Sequence, residues 1–367
     1  SGEQALLTGD EFSDEEGAIL RVPSDFAPFK PKTDLLLTGF CRVPKPVTAC
    51  PVTFGVGKFS KTIAVIGDRV WTGGRPSEPA PFVSMPLSYE RSFGGPGFHR
   101  NPVGAGFKDG RLPNLENPGR LIRDPEERPE PAGFGPIPIV WPQRSSKSGP
   151  YGKKWLKERW PWLPEDVDGS LFNAAPEDQQ LPGYLVGDEE IRLENLHPDR
   201  PLFRCRLPGL RIRCFLVELA RTRVQFHEIP MVLDTLHADA DAGTLSLVWR
   251  GNRDARSEKL TGFMVLYVLT ERLDVSQRSA EHYRKRLEIL VREKADWVEE
   301  PFVSAATPPV EPEPQPALPA PPPPEFDFAA AETEMSDALA SFPERTRPST
   351  SVDPAKSLTE LLAGAIQ

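Results

Sequence analysis

Apolar and polar positions alternate with a period of two in several short stretches of this chain, and each such stretch predicts a strand. The run "TDLLLTGF" (Thr33–Phe40) reads as a buried strand. "VTFGVGKFSKTIAVIGDRVW" (Val52–Trp71) reads as a hairpin: Val52, Phe54 and Val56 alternate, a turn follows near Gly57–Ser60, and Ile63, Val65 and Trp71 lie on the return. Further on, Phe203, Cys205 and Leu207 alternate with arginines, then Leu210, Ile212, Cys214 and Leu216, then Leu245, Leu247 and Trp249. "FMVLYVL" (Phe263–Leu269) is continuous, as a central strand would be. The period then changes. Ala280, Tyr283, Leu287, Leu290 and Val291, extended by Trp297, form one stripe of a helix over residues 276–299.

Residues 72–190 carry little periodicity. Clusters of Gly, Pro and aromatics stand in its place, with Phe134, Trp141, Trp155, Trp160, Trp162 and Phe172 among them. Disordered chains rarely offer so much buriable surface, so this region is expected to be ordered and irregular, wrapped on a β scaffold. Residues 1–32 read as an extended lead-in. The fold class expected is α+β and β-dominant: an antiparallel sheet core, long irregular Gly/Pro/aromatic loops, a closing helix, and a Pro-rich linker to C-terminal amphipathic helices.

Composition explains the irregularity. Of 367 residues 43 are Pro, more than twice the usual ~5%, and proline cannot donate to a helix or sheet ladder. Residues 300–325 ("TPPVEPEPQPALPAPPPPE" and its flanks) read as a polyproline II spacer. The expected organisation is a core over 1–299, this linker, and a helical arm over 326–367. In the arm, Phe328, Met335, Leu339 and Phe342 share one face. Asp353 can cap a second helix and Pro354 can begin it, with Leu358, Leu361, Leu362 and Ile366 at helical spacing. Helices this short are marginal alone. Each needs the chain's own core or a partner to lie against, and partner binding is the favoured reading.

A net charge of −9 argues against nucleic acid and anionic membrane as partners. No run of 18 apolar residues exists, so no transmembrane helix is expected. The N-terminus has neither the basic start nor the apolar core of a signal peptide. The 4 cysteines (Cys41, Cys50, Cys205, Cys214) form no CxxC pair and fit a reducing cytoplasm.

The stretch "MPLSYERSFGGPGFHRNPVGAGF" (Met85–Phe107) is the natural place to look for chemistry. Its glycines match neither GxxxxGK[ST] nor GxGxxG after a strand, and they read as turn formers. His99 has no HxH or HxxxH partner. The acids around His237 in "LDTLHADADAG" lack the calcium-loop pattern and read as a solvated turn. No nucleophile elbow is present. No metal or cofactor is expected, and the loop reads as a folding signature with Tyr89, Phe93, Phe98 and Phe107 as anchors and Glu90 or Arg91 satisfying unpaired backbone groups. The rival reading makes Glu90, Arg91, His99, Arg100 and Asn101 a hydrolytic site, which requires at least two of them to converge in an open cleft.

Ten motifs in order carry a family resemblance: "KPKTDLLLTGF", "IGDRVW", "MPLSYERSFGG", "RNPVGAGF", "LPNLENP", "PAGFGPI…WPQR", "YGKKWLKERWPWLPEDVD", "FNAAPEDQ", "LENLHP" and "LDTLHADADAGTLSLVWRG". Together they resemble the DUF2169 family of bacterial proteins, from about Lys30 to Arg250 and on through the helix to residue 299. Tyr89, Glu90, Arg91, Phe93, Gly94, Gly95, Asn101, Pro102, Gly104, Gly106, Trp249 and Arg250 are its structural signature here. Members typically begin further upstream, so a trimmed or shortened N-terminus is expected. The resemblance implies a non-enzymatic, cytoplasmic adaptor or chaperone of bacterial type VI secretion. Such a protein binds an effector (a toxin or its N-terminal region) and promotes its loading onto the VgrG spike, often with a PAAR protein. A structural part of the secreted spike is the other alternative.

Overall fold

A computed structural model describes residues 5–13, 19–106, 108–160, 162–197, 200–220, 223–253 and 263–295. The expected Pro-rich linker, the arm residues Phe328 to Ile366, Phe107 and Trp297 lie outside them.

The longer strands are β1 (Thr33–Thr38), β2 (Phe40–Val47), β3 (Ala49–Val56), β4 (Phe59–Ile66), β5 (Phe82–Pro86) and β6 (Glu190–His197). They continue with β7 (Arg200–Arg206), β8 (Leu210–Ala220), β9 (Arg223–Ile229), β10 (Val232–Asp239), β11 (Thr244–Arg250) and β12 (Phe263–Arg272). One sheet runs in the order Leu115–Glu116, β4, β3, β6, β7, and is antiparallel throughout. A second runs Gln180–Leu181, β1, β10, β11. A third is β9, β8, β12, with β8 central.

The fold is strand-dominant α+β, but the expectation of a purely antiparallel core is corrected. β1 and β10 pair in parallel, Asp34 opposite Thr235 and Leu36 opposite His237, and Phe93–Gly94 pairs in parallel with Ala105–Gly106. Parallel pairing needs a long crossover, and the entire first sheet lies between β1 and β10 in the chain. β10 also replaces the expected solvated turn: six of its eight residues are buried, and only Ala240 to Gly243 forms the turn to β11. The lead-in is not wholly featureless, since Glu11–Phe12 pairs with Leu20–Val22.

The first two sheets share one core. Leu35 and Leu37 of β1 and Leu233, Leu236 and Ala238 of β10 join Val52, Phe54 and Val56 of β3, Ile63 and Val65 of β4, and Ile191 and Leu193 of β6. Six residues of the aperiodic region, Met85, Leu87, Leu115, Ala132, Phe134 and Leu185, enter the same core, so that region is ordered as expected. Prolines sit where the ladders break. Pro44 and Pro46 fall in the irregular stretch between Arg42 and Val47 in the β2–β5 pairing. Pro51 lies beyond the last regular β3–β6 pair, Thr53 with Glu194. There Asn195 takes positive φ in a bulge and its side-chain amide donates to the Pro51 carbonyl at 2.8 Å.

The chain divides into two compact units after Ala280. The helix Ala280–Ala295 falls almost wholly in the second and begins four residues later than the sequence predicts. Tyr283 and Leu287 of its stripe are buried, while Arg284 bridges Glu281 and Glu288 on the exposed side. No helix among the described residues is long and apolar enough to cross a membrane.

Candidate functional site

The Met85–Gly106 loop is built around Asn101, whose side chain is fully buried. Its amide Nδ2 donates to the carbonyls of Tyr89 (2.7 Å) and Phe93 (3.1 Å), and its own carbonyl accepts from Gly95 N. Glycine is required at two neighbouring positions. A Cβ on Gly94 would collide with the Asn101 carbonyl, and one on Gly104 with the Asn101 amide and the Ser92 carbonyl. Tyr89 packs edge-on against Trp141 (5.5 Å between centroids), and Phe93 against Phe98 (5.2 Å). Burial pushes the Tyr89 phenol well above its ordinary pKa.

The polar residues proposed as a hydrolytic site do not converge. Glu90 is exposed and accepts from Ser88 Oγ. Arg91 donates to Asp68 and Asn114, both at 3.1 Å. His99 is exposed, and Arg100 pairs with Glu130. The side chain that satisfies backbone groups of the loop is Asn101, where Glu90 or Arg91 was expected. Pro102 is half-buried beside it.

Three buried polar knots, made from distant motifs, stand out. In the first, Asp34 on β1 accepts from Lys30 Nζ (2.8 Å), Asn173 Nδ2 (2.9 Å), Ala174 N (2.9 Å) and Ala175 N (3.3 Å). Lys30 also donates to Thr235 Oγ1 (2.8 Å) on β10, and Thr235 to Asp234 (2.9 Å). Arg250 closes the knot: its Nε meets Asp234 at 2.7 Å and its Nη1 donates to the carbonyls of Asp25 and Ala27. Asp34 and Asp234 are both fully buried. Buried carboxylates are tolerated only with such complete pairing. Trp249, the other signature residue of β11, packs against the main core.

The second knot pairs Arg69 with Glu116, whose other oxygen accepts from Ile122 N at 2.7 Å. Nearby Asn114 binds the Ile66 carbonyl and Asp68. In the third, Arg144 donates to the carbonyls of Ile137 and Leu171, both at 2.6 Å. Burial brings this guanidinium down to about 10, so it stays charged at neutral pH. Lys61 of β4 makes a further tie, donating to Gly133 O, Asp178 and Gln179, with burial lowering its pKa and Asp178 opposing that.

Sequence reasoning assigned no role to Asp34, Asn173, Arg144 or Glu116, and placed Asp234 in the solvated turn around His237. The signal was a charge inside an apolar run, as in "TDLLL" and "LDTL". His237, taken for a turn residue, lies buried on β10 within 2.9 Å of Thr38 Oγ1, and desolvation depresses it to about 4. The neighbouring acids are spent separately: Asp239 accepts from Asp241 N and Ala242 N, and Asp241 pairs with Arg42. Among the described residues no group of three or more His, Cys, Asp or Glu could hold a metal ion. All four cysteines are free. Cys41 is raised by its hydrogen bond with Cys50 and by burial, and Cys205 and Cys214 by burial.

These pins define a rigid, strand-based body whose polar signature residues hold its loops. The family model described as "Uncharacterized protein conserved in bacteria (DUF2169)" matches residues 1–250, and the chain belongs to that family. No curated protein matches the chain, and no solved structure matches it. The match ends at Arg250, the residue that closes the first knot, so β12 and the helix after it lie beyond.

Proposed function

We propose that this protein is a non-enzymatic adaptor or chaperone that binds a type VI secretion effector in the bacterial cytoplasm and promotes its loading onto the VgrG spike, with or without a PAAR protein. The observation that carries the reading is the use made of the buried polar residues. Asn101, Asp34, Arg250 and Arg144 are spent on fixing loops (distances above), which leaves a preorganised surface. Preorganisation lowers the ordering cost of binding a protein. The family membership supports the reading through the adaptor role its resemblance implies. The arm carrying Phe328, Met335, Leu339, Phe342, Leu358, Leu361, Leu362 and Ile366 offers helix-in-groove contacts to the same cargo.

Co-purification of the full chain from its native bacterium tests this. An effector and a VgrG or PAAR protein should be retained, and deletion of Phe326–Gln367 should reduce effector recovery at least several-fold, as loss of a tethered second contact does. Retention of neither protein overturns the adaptor reading. Recovery of the chain in the medium together with tube proteins would favour the spike-component alternative.

A further inference from the structure

The motif "YGKKWLKERWPWLPEDVD" takes no part in the three knots, and three of its large apolar side chains are exposed. Leu156 is 62% exposed, Trp160 53% and Trp162 70%. Solvated Trp at this density marks an interaction surface. The segment is nonetheless tightly built. Helix Lys153–Glu158 is followed by a return in which Trp155 Nε1 donates to the Trp162 carbonyl at 2.7 Å and Trp162 N to the Arg159 carbonyl at 2.8 Å. Arg159 also donates to the Leu163 carbonyl (3.1 Å), and Tyr151 stacks edge-on against Trp155 at 4.8 Å. Tyr151, Leu163 and Val167 pack on the buried pair Leu171 and Phe172. The outward side chains therefore stand on a fixed base.

Charge selects the occupant. The helix Lys153–Glu158 carries Lys153, Lys154 and Lys157 against Glu158, a local excess of positive charge on a chain of net charge −9. Of the acids that follow, Glu165 pairs with Arg159, Asp168 caps Ser170 N, and Asp166 lies beside Gly149. We infer that the exposed surface of this segment, which carries Lys154, Leu156, Lys157, Trp160 and Trp162, is a docking site for an acidic amphipathic segment of a partner protein. Its aromatics take the partner's apolar stripe and its lysines the carboxylates. A lipid surface fits less well: the helix is only six residues long, whereas interfacial helices lay down a long apolar face, and the chain's net negative charge repels an anionic bilayer. The inference rests on the adaptor reading only for the partner's identity as cargo.

The test is fluorescence anisotropy on the full chain, with a labelled synthetic peptide bearing Phe and Leu on one helical face and Glu on the other. The peptide should bind, more weakly as salt rises. W160A/W162A should weaken binding about 10- to 100-fold, and K154E/K157E should weaken it too. All four positions are exposed, so the denaturation midpoint should stay unchanged. Four outcomes overturn the inference. They are equal binding by the variants, equal binding of a Lys-for-Glu peptide, preference for phosphatidylglycerol vesicles, and a self-association of the parent that the variants abolish. If the native effector is retained equally by parent and W160A/W162A, the docking face is refuted and the adaptor reading stands. If no effector is retained while the peptide discrimination holds, the adaptor reading fails and the face remains.

Discussion

At the scale of single residues, Asn101 and His237 make the sharpest claims. Asn101→Ala removes two buried hydrogen bonds, to the Tyr89 and Phe93 carbonyls. At about 0.5–1.5 kcal/mol each, equilibrium denaturation should show a loss of about 1–3 kcal/mol. Asn101→Asp should fare no better, because an ionised carboxylate has nothing to donate. His237 sets a pH dependence. Its folded pKa, about 4, lies below the unfolded value of ~6.5. Below pH 6.5 the unfolded chain takes up a proton that the folded chain refuses. Stability from this group is therefore full above pH 6.5, falls as pH drops toward 4, and is level below that. The swing is about 3 kcal/mol. Denaturation midpoints of the parent across pH 4–7 should fall more steeply than those of His237→Gln, and parallel curves would refute the assignment.

At the scale of elements, the ties between strands matter more than the strands' own propensities. Arg250 on β11 binds Asp234 on β10 and the carbonyls of Asp25 and Ala27. Arg250→Ala leaves a buried carboxylate uncompensated and should cost about 3–5 kcal/mol. Adding Asp234→Ala should cost less than the sum of the two single changes, the excess being the coupling a double-mutant cycle reads. This scale also shows what was legible in the chain. The β3–β4 hairpin, β7, β8 and β11 are readable because apolar residues such as Val52, Phe54 and Val56 alternate along them, and β1 and β12 because their apolar runs are continuous. β10 is hidden because it is buried on both faces, and its Asp234, Thr235 and His237 break the apolar run while being satisfied inside. β2 is hidden by Pro44 and Pro46, which the fold accommodates in a gap between paired residues. The loop residues were visible as a signature but not their roles. Nothing local says that the Asn101 amide, and not Arg91, reaches back to Tyr89. The partners of Asp34 lie as far away as Asn173 and Ala175, and sequence spacing carries no trace of that contact.

At the scale of the whole molecule, one body of sheets carries fixed loops, and the described residues end before the arm whose deletion the co-purification experiment probes. The parallel pairing of β1 with β10 sets a clock on making this body. β1 leaves the ribosome well before its partner: its neighbour Leu236 follows Leu35 by about 200 residues, which at ~5–20 residues per second is about 10–40 s of synthesis. For that interval Leu35, Leu36 and Leu37 have no β10 to lie beside. A nascent chain stalled before Val232 should accordingly be digested at its N-terminal segment by added protease, and one stalled beyond Arg250 should be protected there. A protein read as a chaperone for another chain would itself pass through a long window in which its first apolar strand is unguarded.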